Sequence, residues 1–489
     1  MMQMMSSMKG EITRLTEKCD RMERSIDTMQ TTQNANYNTT NQMKRTINAM
    51  QTAQTTHSQN TNSRFDDVDN KQKYHEILLR NQQWKYSAPH LSDEYWDDLD
   101  EDEAAATAAD SFLTQIKQRT EEMRYGTGDG KVLINAPLFI YNEEFLPHWK
   151  EFANALAQHQ YCLKCLPKDT ETKLVLCDMD LPDTVLDLLS KAFESTHFTR
   201  FALRDNNIGQ SGIDFALKYL KSNQIMEQFA LVENPINNME QIRQLCQIVK
   251  EHPSIEVLSL DSCRGEEIDG HEMLQLIMSA GKSKLKSLML SNNDIATGGD
   301  TFISDFLADN PILVWLKLDG NQLDDNDAVA IAGALKKNTN LRDLHLTDNN
   351  ITKAGWVALR KAEFDDTSLN SASDCNHTCC IKYPSGDDEI QGLDTSEMNG
   401  DTNSGFCFAP MYVRQKKIYS VLSSRNRECS NVGHFDDVPV ELLPDILCSI
   451  ERYSEYHIHD HAPPQGADDV KPISLMFEIL QRWDKSSSL

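Results

Sequence analysis

The chain has 489 residues, 39% of them hydrophobic, and a formal net charge of −27. That length allows about two to four domains, and the charge argues against a general binder of nucleic acid or of anionic membranes. No apolar run approaches the ~20 residues of a membrane span, the opening MMQMMSSMKGE lacks a secretory apolar core, and twelve cysteines are scattered without a framework. A cytoplasmic protein with reduced thiols is expected.

Residues 1–60 are rich in Met, Gln, Asn and Thr. Apolar residues at Met5, Met8, Ile12, Leu15, Cys19, Met22, Ile26 and Met29 alternate three and four apart, and Met43, Ile47 and Met50 resume that phase after a polar gap. A preserved phase predicts one interrupted coiled coil that self-associates. Its seam is soft, because Met specifies register poorly. The helical region is expected over 1–86 and stops before Pro89 in WKYSAP. Asp93–Glu103 (DEYWDDLDEDE) holds eight carboxylates in eleven positions. It reads as part of an acidic linker over 87–131 with a short helix near Asp110–Met123. An N-terminal cap is expected over 132–170, including an amphipathic helix around His148–His159.

From residue 171 the chain repeats itself. The template Leu-x-x-Leu-x-Leu-x-x-Asn-x-Ile is met by Leu341, Leu344, Leu346, Asn349 and Ile351, by Leu313, Leu316, Leu318, Asn321 and Leu323, and by Leu285, Leu288, Leu290, Asn293 and Ile295. Looser units begin at Phe198 and Met226. The unit at Ile255 puts Cys263 in the Asn slot and inserts RGEE, and a degenerate unit opens at Glu171. Each unit switches from a period of two to a helical one, so each is a strand followed by a helix.

This pattern resembles the leucine-rich repeat, in its long ribonuclease-inhibitor-like class. The resemblance covers Glu171 to about Ala362 and implies an α/β solenoid, with a curved parallel sheet inside, helices outside and a cap at each end. The flanks LLRNQQWKYSAPHLSDEYW and LPHWKEFANAL also resemble proteins of microalgae that join a coiled coil to such repeats, a likeness that supplies no function. Repeats are expected over 171–368, a degenerate last repeat over 369–383, a disordered loop over 384–409, and a helical cap over 410–489.

Candidate chemistry is sparse. Cys162-x-x-Cys165 and the group Cys375, His377, Cys379 and Cys380 belong to opposite ends of the stack, so they do not assemble one zinc site. His457-x-His459-x-His461 reads as a solvated loop. Gly281-Lys282-Ser283 lacks the earlier glycine of a phosphate loop, because position 276 is Leu276, and His271-Glu272 lacks a second His at Gln275. No GxSxG elbow is present. No cofactor, metal site or catalysis is expected.

Binding has the better support. Template positions three, five and seven alternate with the buried leucines and face outward on the concave sheet. Position three reads Lys173, Arg200, Gln228, Val257, Ser287, Trp315, Asp343. Position five reads Val175, Ala202, Ala230, Ser259, Met289, Lys317, His345. The candidate partner-binding residues are Met289, Trp315, Lys317 and His345, with Lys173, Arg200 and Arg204 (position seven) as a basic end. The expected function is a non-catalytic scaffold that binds another protein. The resemblance also implies an alternative, because such repeats build the GTPase-activating protein of the Ran system; here the acidic block precedes the repeats and Arg200 and Arg204 sit on strands rather than a loop.

Overall fold

In a computed structural model the described residues are 67–99, 102–167, 169–386, 388–395, 398–401, 406–407, 410–428 and 439–455, with Lys44 besides. Two compact units divide at Glu76 and Ile77. In the first, Lys44 and 67–76 are helical, and the heptad region over 1–60 lies otherwise outside the described residues.

The second unit holds one sheet of nine parallel strands in chain order. They are β1 (Lys131–Phe139), β2 (Lys173–Met179), β3 (Arg200–Arg204), β4 (Gln228–Val232), β5 (Val257–Ser259), β6 (Ser287–Met289), β7 (Trp315–Lys317), β8 (Asp343–His345) and β9 (Cys380–Lys382). The helices before the first repeat are α1 (Asp93–Asp98), α2 (Glu103–Tyr125) and α3 (Leu146–Cys165). Those of the repeats are α4 (Asp183–Phe193), α5 (Gln210–Ser222), α6 (Met239–Glu251), α7 (Gly270–Gly281), α8 (Phe302–Ala308), α9 (Asp325–Leu335) and α10 (Lys353–Glu363). Beyond them lie α11 (Leu369–Asp374), α12 (Asp388–Gln391), α13 (Pro410–Glu428) and α14 (Leu443–Glu455). Among the described residues no helix is long and apolar enough to cross a membrane.

Strand follows helix because each unit buries its leucines on one side. Leu288, Leu316 and Leu344 are in register on β6, β7 and β8 and are fully buried, as are Leu290, Leu318 and Leu346 behind them. Helices such as α9 and α10 lie side by side over that apolar layer. The asparagines close each strand. Asn234, Asn293, Asn321 and Asn349 donate to the carbonyls of Leu203, Leu260, Leu290 and Leu318 in the preceding unit, at 2.8–3.1 Å. Buried backbone carbonyls need such donors where the sheet stops. Cys263 fills the same slot with its thiol on the Leu231 carbonyl, and Arg264 of the insertion pairs with Asp294.

One residue before that slot the backbone is left-handed in every unit. Asp178, Asp205, Glu233, Ser262, Asn292, Gly320 and Asp348 have φ between 45° and 63°. Asp, Asn and Gly adopt this region most readily, which explains the composition of the row; Glu233 is its costliest member.

Ahead of the repeats the molecule differs from an acidic linker. The expected short helix is α2, 23 residues long, and it buries Ala109, Phe112, Ile116 and Met123 against β1 and α3. Its Gln115 side chain accepts from the Asn135 N–H and donates to the Asn135 carbonyl, while Arg119 donates to the Leu133 carbonyl. These contacts cover the edge of the sheet, which would otherwise expose strand-pairing groups. An extended strap before α1 is held by Tyr86 on His148 at 2.8 Å and by the Tyr125 hydroxyl on the Trp84 carbonyl.

At the other end, α11, α13 and α14 build a second apolar core from Phe364, Leu369, Ile418, Leu422, Ile446 and Ile450. The segment read as a disordered loop contributes to the packed end: Ile390 and Asn399 are buried, and Thr395 donates to Glu363. Its few apolar and polar anchors suffice because they meet a surface the repeats already present.

Candidate functional site

The outward columns follow directly from strand register. Met289, Lys317, His345 and Lys382 are successive partners across β6 to β9, and Ser287, Trp315, Asp343 and Cys380 are partners in the neighbouring column, in which Ser287 and Cys380 are buried. Adjacent strands lie ~4.8 Å apart, so neighbours in a column are within side-chain reach. The structure thus brings Met289, Trp315, Lys317 and His345 together on one face. Trp315 is 40% exposed, whereas its sequence neighbour Leu316 is fully buried.

Charged groups on this face differ in how far they are already engaged. Asp319 accepts from the Thr347 N–H and hydroxyl, at 3.0 and 2.7 Å, and lies 3.6 Å from the His345 Nδ1. Burial holds the His345 imidazole below its ordinary range, with Asp319 pulling the other way. Asp343 is half-buried, and burial raises its carboxyl above the ordinary range against the influence of His345 and Lys317. No hydrogen bond or ion pair to its side chain occurs among the described residues. Nothing in the sequence distinguishes Asp343 from the rest of its column, and Lys382 is not legible there because β9 lies outside the regular template.

The basic end is a separate patch. Lys173 and Arg200 are register partners on β2 and β3, and Arg204 pairs with Cys177. Four strand spacings, ~19 Å, separate β3 from β7, so one small contact does not span both patches. Arg200 is engaged by Glu171 and Gln228. Arg204 is exposed.

The other motifs have structural explanations. Gly281 is buried at the end of α7, where a Cβ would meet the Leu285 side chain, with its Cγ at 2.9 Å. The glycine serves close packing there. His271 lies 3.2 Å from Asp300 in an ion-pair arrangement. Cys246 and Cys263 are buried, and burial pushes each thiol up to about 12, far from a reactive thiolate. Cys375 reaches His377 at 4.0 Å; among the described residues no group of three or more His, Cys, Asp or Glu is placed to hold a metal. His457, His459 and His461 lie outside the described residues.

A Leucine Rich repeat family profile matches residues 337–359, the unit carrying β8 and α10. The fold is a leucine-rich repeat solenoid. Pig (Sus scrofa) ribonuclease inhibitor is 26% identical over 192 residues, which is 38% of this chain and 41% of that protein. Human (Homo sapiens) NACHT, LRR and PYD domains-containing protein 5 is 26% identical over 195 residues, 39% of this chain and 16% of that protein. The chain therefore spans less than half the length of either relative. The repeat solenoid presents its sheet columns as a regular outward surface, and strand position alone decides which side chains meet there.

Proposed function

We propose that the protein is a non-catalytic, cytoplasmic scaffold or adaptor that binds another protein through the outward face of its repeat sheet, around Met289, Trp315, Lys317 and His345. The supporting observation is Trp315, a large rigid side chain left in solvent on a strand whose next residue is core. Such residues often anchor interfaces, and truncating an anchor typically costs ~2 kcal/mol or more. Met289, one strand away and half-buried, is adaptable enough to follow a partner's shape. Lys173, Arg200 and Arg204 form a second candidate contact. Self-association through the heptads of residues 1–60 would supply the tether. One relative is by its printed name an inhibitor of a ribonuclease, and so acts on another protein.

The GTPase-regulator alternative is not favoured. Neither relative is named for it, and Arg200 is held by Glu171 and Gln228 on the sheet. The test is the double variant Trp315→Ala, Met289→Ala in a pull-down from the source cell. Loss of a captured partner with an unchanged melting curve supports the reading. Retained capture moves the site, first to the basic end.

A further inference from the structure

We propose that Trp315 and Asp343 together receive an arginine side chain presented by the partner protein, an inference that rests on the scaffold reading above. The two residues are register partners on β7 and β8 and belong to the same outward column. Trp315 offers an exposed indole and Asp343 a carboxyl group. An aromatic face beside a carboxylate suits a guanidinium, which stacks on the ring and forks onto both carboxylate oxygens.

The carboxylates of this face differ in the donors they meet. The outward columns contain Asp261, Asp319 and Asp343. Asp261 accepts from the Ser291 N–H at 2.7 Å and from the Ser259 hydroxyl at 3.1 Å. Asp319 is satisfied by Thr347. Asp343 alone of the three has no such donor among the described residues, although it is half-buried. A carboxylate drawn partly out of water without a donor costs stability, and a donor from a second molecule removes that cost. Lys317 and His345 are the charged and titratable groups acting on Asp343. Burial keeps His345 toward its neutral form, and Lys317 opposes a second cation, so the site takes one guanidinium rather than a basic run. The net charge of −27 also draws cationic partners toward the chain.

The experiment uses the full chain and fluorescein-labelled twelve-residue peptides of Leu and Ser with a central Arg, citrulline, Lys or Glu, read by anisotropy. The Arg peptide should bind at least tenfold more tightly than its citrulline isostere. Asp343→Asn should erase that ratio while leaving citrulline binding unchanged, and Trp315→Ala should weaken both. Asp343→Asn should melt no lower than the native chain, since it removes an unpartnered charge. An unchanged Arg-to-citrulline ratio in Asp343→Asn, preference for the Glu peptide, no measurable binding of any peptide, or a melting point lowered by several degrees in Asp343→Asn would each overturn the inference. If partner capture still depends on Trp315 and Met289 in that event, the scaffold reading stands without it.

Discussion

Glu363→Gln should flatten the pH dependence of the C-terminal end of the repeat stack. Glu363 closes α10 with no exposed surface. One carboxyl oxygen accepts from the Ile381 N–H at 3.3 Å, and the other accepts from Tyr383 and Thr395 at 3.1 and 3.0 Å. Burial pushes this carboxyl from 4.5 up to about 7, against the pull of Lys417 and the hydrogen bonds. The folded value exceeds the unfolded one, so the folded chain binds more protons across that interval. The corresponding stability is fully present below pH 4.5 and is lost as pH rises through about 7. At ~1.4 kcal/mol per pH unit, the loss amounts to about 3 kcal/mol.

Glutamine keeps the shape without the titration. Its carbonyl can accept from Ile381, and its amide can donate to the two hydroxyls, which turn to accept. Two other titratable groups lie at this end in both proteins, and of these Lys417 interacts with Glu363 directly. Lys417 donates to the carbonyls of Glu363 and Asn376, and burial lowers its ammonium. Burial pushes His377 down to about 4, below the window. Hydrogen exchange of peptides from α10 and β9, corrected for intrinsic rates, should show the native chain losing about 3 kcal/mol against the variant between pH 4.5 and 8. Parallel curves over that range would refute the reasoning.

Leu316→Ala should cost ~2–5 kcal/mol in urea unfolding, as a fully buried large-to-small change does, and Trp315→Ala less than ~1 kcal/mol; the reverse order would put the register off by one. Glu233→Gly should raise stability by about 0.5–1 kcal/mol, because glycine adopts the left-handed conformation without a Cβ clash; a loss on thermal melting would show that the Glu233 side chain is needed. In sedimentation the full chain should form a larger assembly than a chain starting at Asp93, and two monomers at micromolar concentration would end the coiled-coil reading.

The outward columns were legible in the residues themselves, because parallel units of nearly constant length turn a position in the template into a place on the sheet. Met289, Lys317 and His345 meet for that reason alone. The left-handed row, found only in the structure, left a trace in the sequence as Asp, Asn, Ser or Gly at six of its seven positions, with Glu233 the exception. Other features have no repeat to announce them. β1 pairs in register with β2 through Val132 and Ile134 without the leucine template, and Gln115 seals its edge from a helix outside the stack. Lys417 reaches Glu363 and Asn376 from a helix far along the chain. Asp343 and Asp319 are both outward carboxylates of the repeats, yet only Asp319 meets Thr347 of the next unit. Each of these depends on a single long-range contact, and a contact made once leaves no period in the chain from which it could be read.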